Sequence, residues 1–241
     1  MVRAVTVTRL FEPTDLEFED PGVTELDMQF GPVRGQNSYR ISMADFEFDL
    51  GLTETVELDL DGEFAVGGPG DGSFTINQLA QDNLWSSLKI GLGTFEDKTE
   101  ERELALGLQL GPIWPIAPQA QGVGVEGLAL IGLRVQENYF ALNLGGVNQP
   151  TGGPGQGKPA GFLAGINIEM ALDEKGVWAA LAQASGVEYW TSDPDQITTE
   201  IGIQWSPYDN LDLSIVGLRG WLRGGDQWGI LFGISPKFKL W

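Results

Sequence analysis

The sequence predicts an all-β chain closed into a single antiparallel up-and-down transmembrane β-barrel of about twelve strands, with roughly ten and fourteen as outer bounds. Apolar residues recur at every second position, tight polar turns alternate with longer linkers, and acids or very small residues fill the polar parity. The period begins with Leu26, Met28 and Phe30 against Glu25, Asp27 and Gln29. Phe46, Phe48, Leu50 and Leu52 then alternate with Asp45, Glu47, Asp49 and Gly51, and Val56, Leu58 and Leu60 with Glu57, Asp59 and Asp61. Successive strand side chains point to opposite faces, so each run has one apolar and one polar face.

The same pattern gives Leu88-Ile90-Leu92, the leucines at 104, 106, 108 and 110, Val123-Val125, Phe140-Leu142-Leu144, and the even positions from Phe162 to Leu172. The last strands carry Ile197, Ile201, Ile203 and Trp205, then Leu211, Leu213 and Ile215, then Trp228, Ile230, Phe232 and Ile234. Val177 to Trp190 is apolar on both parities in its first half. Parity slips near Ala44, Gly127 and Val216 predict bulges. The uncharged stretch Leu104 to Val125 is long enough for a membrane helix, but Pro112, Pro115 and Pro118 and its period of two exclude one.

Thr53–Thr55, Glu96–Glu101, Val135–Asn138, Asp173–Gly176 and Ser206–Asn210 are tight connections. Between them fall Gly67–Asn83, Gly111–Gln121, Val147–Pro159, Thr191–Asp195 and Arg223–Asp226. Short turns on one rim and longer loops on the other are the pattern of outer-membrane-type barrels. Residues 1–20 precede the period and form an N-terminal segment, either periplasmic or plugging the lumen; residues 21–241 form the barrel. Met1 to Phe11 lacks a sustained apolar run and a cleavage site, so it is not a signal peptide.

Composition removes whole classes of chemistry. The 241 residues carry 14 Lys+Arg against 34 Asp+Glu, a net charge of −20, with neither His nor Cys. That excludes Ser-His-Asp and Cys-His catalysis, ordinary zinc sites and disulfides, and disfavours nucleic acid as a partner. No catalytic residue, metal ligand set or cofactor is assigned. Gly67-Gly-Pro-Gly-Asp-Gly and Gly152-Gly-Pro-Gly-Gln-Gly lack the Lys-Ser/Thr of a phosphate loop and read as loop tips.

Small inward residues such as Gly91, Gly107, Ala141, Gly145, Gly165, Gly202, Gly229 and Gly233 give a narrow barrel the space its interior needs. The pore-lining candidates are Glu25, Asp27, Asp45, Glu47, Asp49, Glu57, Asp59 and Asp61, with Arg40, Lys89, Asn143, Asn167, Glu169 and Glu200. Carboxylate rings favour cations and repel anions. A merely solvated polar face is the competing account of the same acids. Trp85, Trp114, Trp178, Trp190, Trp205, Trp221, Trp228 and Trp241 sit near strand ends, where indoles form interfacial girdles against the lipid bilayer.

The final strand ends on an aromatic, Phe238-Lys-Leu-Trp241. It resembles the terminal signature by which bacterial outer-membrane barrels are recognised by their assembly machinery. Asp15-Leu-Glu-Phe-Glu with Pro21-Gly-Val-Thr-Glu-Leu, the hairpin from Asp45 to Leu58, and Trp205-Ser-Pro-Tyr-Asp-Asn-Leu-Asp-Leu are similar to outer-membrane transporters of the phenol-degradation MetA-pathway type. The resemblance implies an outer-membrane barrel that moves small solutes and supplies no binding residues. Two alternatives stay open: a soluble β-sandwich binding Ca2+ or carbohydrate, and a non-conducting structural barrel.

Overall fold

A computed structural model describes residues 14–35, 38–69, 78–81, 83–97, 99, 101–116, 122–148, 160–190, 195–222 and 225–241. Its strands are β1 (Val23–Arg34), β2 (Ser38–Thr53), β3 (Val56–Pro69), β4 (Gln78–Gln81), β5 (Leu84–Asp97), β6 (Arg102–Trp114) and β7 (Gly124–Val135). Then follow β8 (Asn138–Asn148), β9 (Ala160–Ala171), β10 (Trp178–Tyr189), β11 (Gln196–Tyr208), β12 (Leu211–Gly220) and β13 (Trp228–Lys239). Each is antiparallel to its neighbours. β1 pairs with both β2 and β13, and β2 with β3, so a single sheet closes on itself. β4 pairs with β3 over Phe64 to Gly67 and β5 with β3 over Val56 to Asp61. Those two segments lie end to end as one stave of a twelve-stranded barrel. A two-sheet sandwich is not the fold.

The tight connections and the ends of β1 and β13 lie on one rim, which we call the turn rim. The longer connections lie on the opposite loop rim. The β1–β2 connection breaks the alternation, because only a few residues separate Arg34 from Ser38 on the loop rim. The expected loop Gly67–Asn83 is partly strand, since β3 runs to Pro69 and β4 begins at Gln78. Parts of the other loops, residues 1–13 and the second glycine run lie outside the described residues.

Parity decides which side chains leave the barrel. Ile201 is 72% exposed while its neighbour Glu200 is 4% exposed. Leu92, Phe95, Leu110, Ile166 and Phe232 share the outward face with Ile201. An apolar exterior of this kind suits lipid and would be a liability in water. Trp178 and Trp205 stack on the turn rim with ring centroids 5.7 Å apart, and Trp241 is exposed beyond β13 at the same rim. Trp114, Trp190, Trp221 and Trp228 are exposed at the loop rim.

Trp85 corrects the girdle assignment. It is 3% exposed, points inward and donates its indole N–H to the Gly111 carbonyl at 3.3 Å. It shares the parity of Ser87 and Lys89, opposite to that of Leu88 and Ile90. Two bulges are also corrected. The register shifts at Ser42/Ala44 as expected, but the ladders run unbroken past Gly127 and Val216. What reads as slipped parity is a set of apolar side chains that truly face inward: Leu128 and Leu130 on β7, and Val216 and Leu218 on β12.

The loop half of the interior is accordingly packed. Trp85, Ile113, Leu128, Leu130, Leu163 and Val187 form one apolar cluster, joined from below by Leu16. Val33, Val216, Leu218 and Leu231 form a second, with Leu181 against it.

Candidate functional site

Antiparallel pairing lays the acids out in rungs. Glu25 lies beside Asp49 and Asp49 beside Asp59, while Asp27, Glu47 and Asp61 form the next rung and Gln29, Asp45 and Glu63 the one after. Residues directly opposite on one face have Cβ atoms about 5 Å apart. The alternating acids of three consecutive strands therefore become a continuous carboxylate wall.

That wall borders a cavity of about 540 Å³ in the turn half and middle of the barrel. Glu25, Asp27, Asp45, Glu47, Asp49, Glu57, Asp61 and Lys89 line it on one side, and Asn167, Glu169 and Glu200 on the other. Three predicted residues lie elsewhere. Asp59 is buried within the wall and does not line the cavity; its Oδ2 accepts from Gln109 Nε2 at 2.6 Å and Ser87 Oγ at 3.3 Å. Asn143 is fully buried and donates to the Thr14 carbonyl at 2.9 Å. Arg40 sits in the loop half, away from the cavity. It does not pair with the predicted acids; its guanidinium meets Asp226 through two contacts of 2.5 and 2.6 Å and Glu63 at 3.1 Å.

The chain before β1 enters this interior. Asp20, Pro21, Gly22 and Val23 make a reverse turn closed by the Val23 N–H on the Asp20 carbonyl at 2.8 Å, with Gly22 at φ 81°. Pro then Gly suits a type II turn, whose third residue needs positive φ. Beyond it, Glu19 donates its N–H to Glu57 Oε2 at 2.6 Å and pairs with Lys237 at 2.8 Å. The Leu16 N–H donates to Tyr139 Oη at 2.7 Å. Lys89 pairs with Glu57, donates to the Glu17 carbonyl at 3.3 Å and stands over the Phe18 ring.

Gly107 makes the seat. A Cβ there would stand 2.4 Å from Leu16 Cδ2, and one at Gly132 3.3 Å from Leu16 Cβ. Sequence reasoning placed Gly107 inward for space and residues 1–20 as periplasmic or in the lumen, but did not place Leu16 against Gly107. Glu63, Gln109 and Asp226 were missed as well. Glu63 and Gln109 keep the inward parity of Asp61 and Gly107, so parity carried the signal; Asp226 lies between strands, where parity gives none.

No protein-family profile matches the sequence, and comparison with curated proteins finds no relative. Comparison with solved structures finds the NanC porin at TM-score 0.61 and 9% identity, covering 89% of this chain and 100% of that one. The fold is that of outer-membrane β-barrels. The translocator domain of the autotransporter NalP from Neisseria meningitidis is similar at TM-score 0.49 and 11% identity, covering 92% and 91% of the two chains. The CymD monoaromatic hydrocarbon channel follows at TM-score 0.46 and 7% identity, covering 92% and 89%.

Proposed function

We propose that the chain is a bacterial outer-membrane channel or passive transporter for small solutes, with an acidic lumen that favours cations or neutral compounds. The observation that carries this reading is the 540 Å³ carboxylate-walled cavity inside a closed barrel with an apolar exterior. Among the cavity-lining residues acids far outnumber the bases Lys89 and Lys237. Fixed negative charge in a narrow, low-dielectric passage raises the local cation concentration and excludes anions. Absence of His and Cys supports passage or scaffolding over catalysis.

Residues 14–20 act here as a plug, seated on Gly107 and Gly132 and tied by Tyr139, Asn143, Lys89 and Lys237. The MetA-pathway resemblance makes the solute a small, often aromatic compound. The start of β1 and the end of β13 lie at the turn rim, which is periplasmic in this reading, and the Phe238–Trp241 end addresses the assembly machinery. A second reading, a structural barrel that does not conduct, is favoured by the apolar clusters and the Arg40 bridge that fill the loop half. Current across a planar bilayer separates them. Discrete conductance steps from refolded, heat-modifiable protein support the channel, and silence from the same protein supports the structural barrel.

A further inference from the structure

Two groups of three carboxylates share one residue. One ligand oxygen each from Asp49, Glu57 and Asp59 lies within 4.8 Å of the others, and the same holds for Asp27, Glu47 and Asp49. Two oxygens on opposite sides of a calcium ion at ~2.4 Å stand about 4.8 Å apart, so each group on its own fits within a coordination shell, and Asp49 belongs to both.

The unused oxygens point to a ligand. Asp59 is 1% exposed, and while its Oδ2 is held by Gln109 and Ser87, its Oδ1 meets no donor. Asp49 is 8% exposed, and its Oδ1 also meets none. A buried carboxylate oxygen without a donor forfeits its hydration and gains nothing in return. Lys89 answers Glu57, but one ammonium does not balance five acids. We infer that Asp27, Glu47, Asp49, Glu57 and Asp59 hold a hard divalent cation, with calcium as the species they fit, shared through Asp49.

Oxygen-only ligands disfavour soft metals, and an irregular set of carboxylates, four of them lining the cavity and Asp59 buried beside it, suits calcium better than magnesium. Magnesium demands near-ideal octahedral geometry and keeps its own water. A bound ion would tie β1, β2 and β3 together from inside, stabilising the folded barrel by mass action. The inference rests on the acidic lumen and not on conduction, so a silent barrel that binds calcium leaves it standing.

The test is calcium titration of the full refolded chain in detergent, followed by calorimetry and by the unfolding temperature. Saturable binding is expected, with a higher unfolding temperature in calcium than in magnesium at equal ionic strength. Asp49→Asn removes the shared ligand and abolishes both effects. Asp59→Asn weakens affinity by about tenfold or more, since even outer-shell changes cost that much. Glu200→Gln, across the cavity, leaves binding intact. Heat-shifted gel mobility establishes that each variant folds, and Glu47→Gln replaces any that does not. Absence of saturable binding overturns the inference, as does equal response to magnesium, or retention of binding in Asp49→Asn and Asp59→Asn.

Discussion

Arg40 on β2 and Asp226 ahead of β13 are joined by a two-pronged buried ion pair, at 2.5 and 2.6 Å, across the loop half of the barrel. Glu63 completes the group from β3. Fork-to-fork geometry is the strongest arrangement open to a guanidinium and a carboxylate. Removing the arginine alone strands two buried acids. Arg40→Met is therefore expected to cost about 3–5 kcal/mol, while the triple change Arg40→Met, Glu63→Gln, Asp226→Leu recovers most of it. Urea unfolding in lipid vesicles reads both values; a single variant as stable as the parent contradicts the bridge.

Leu16 gives the proposed plug a separate handle. Leu16→Ala is expected to cost about 2 kcal/mol or more by emptying its place in the apolar cluster. Gly107→Leu occupies that place from the other side and displaces the segment. Both should raise single-channel conductance in a bilayer. Unchanged conductance from folded variants of both kinds would show that residues 14–20 do not restrict passage.

How much of this was legible beforehand follows from one physical fact, that strand side chains alternate. The strands and the inward acids from Glu25 to Asp61 follow from parity, and the rims from the alternation of short and long connections. Parity also reported Trp85, Leu128 and Leu130 as inward, yet a rule that apolar means lipid-facing sent Trp85 outside and turned the β7 leucines into a bulge. The rule fails because a barrel of this width, unlike a wide pore, packs part of its interior. The seat of residues 14–20 was not legible at contact level. Leu16 meets Gly107 across long sequence separation, and nothing periodic in residues 14–20 signals the encounter.

Ile166 and Asn167 test orientation on adjacent positions of β9, one outward and one on the cavity. Ile166→Arg, close to the middle of its strand, is expected to destabilise the barrel by about 2–4 kcal/mol, and Asn167→Arg to cost far less. Folding yield into lipid vesicles compares them. Equal losses would mean that the two faces meet the same medium.

Asp173 lies outside the membrane-spanning segments, in the turn from β9 to β10. Backbone N–H groups of Lys175, Val177 and Trp178 donate to its carboxylate at 2.9, 3.2 and 2.8 Å, holding its pKa below the usual carboxylate range. A folded value below the unfolded one means stability that is fully present above the unfolded pKa of about 3.9 and is lost as pH falls through the folded value. The stability gap between parent and Asp173→Asn should thus narrow between about pH 5 and about pH 3. A gap that stays constant over that range would remove the carboxylate from the turn's energetics.

The most direct test of a cation-favouring passage is the reversal potential of the refolded chain in a planar bilayer under a potassium chloride gradient. Carboxylates along β1, β2 and β3 predict a potential whose sign marks potassium moving more freely than chloride, shrinking when Asp27, Glu47 and Asp61 are changed together to their amides. A potential of the opposite sign, or no current through protein shown to be folded, would contradict it.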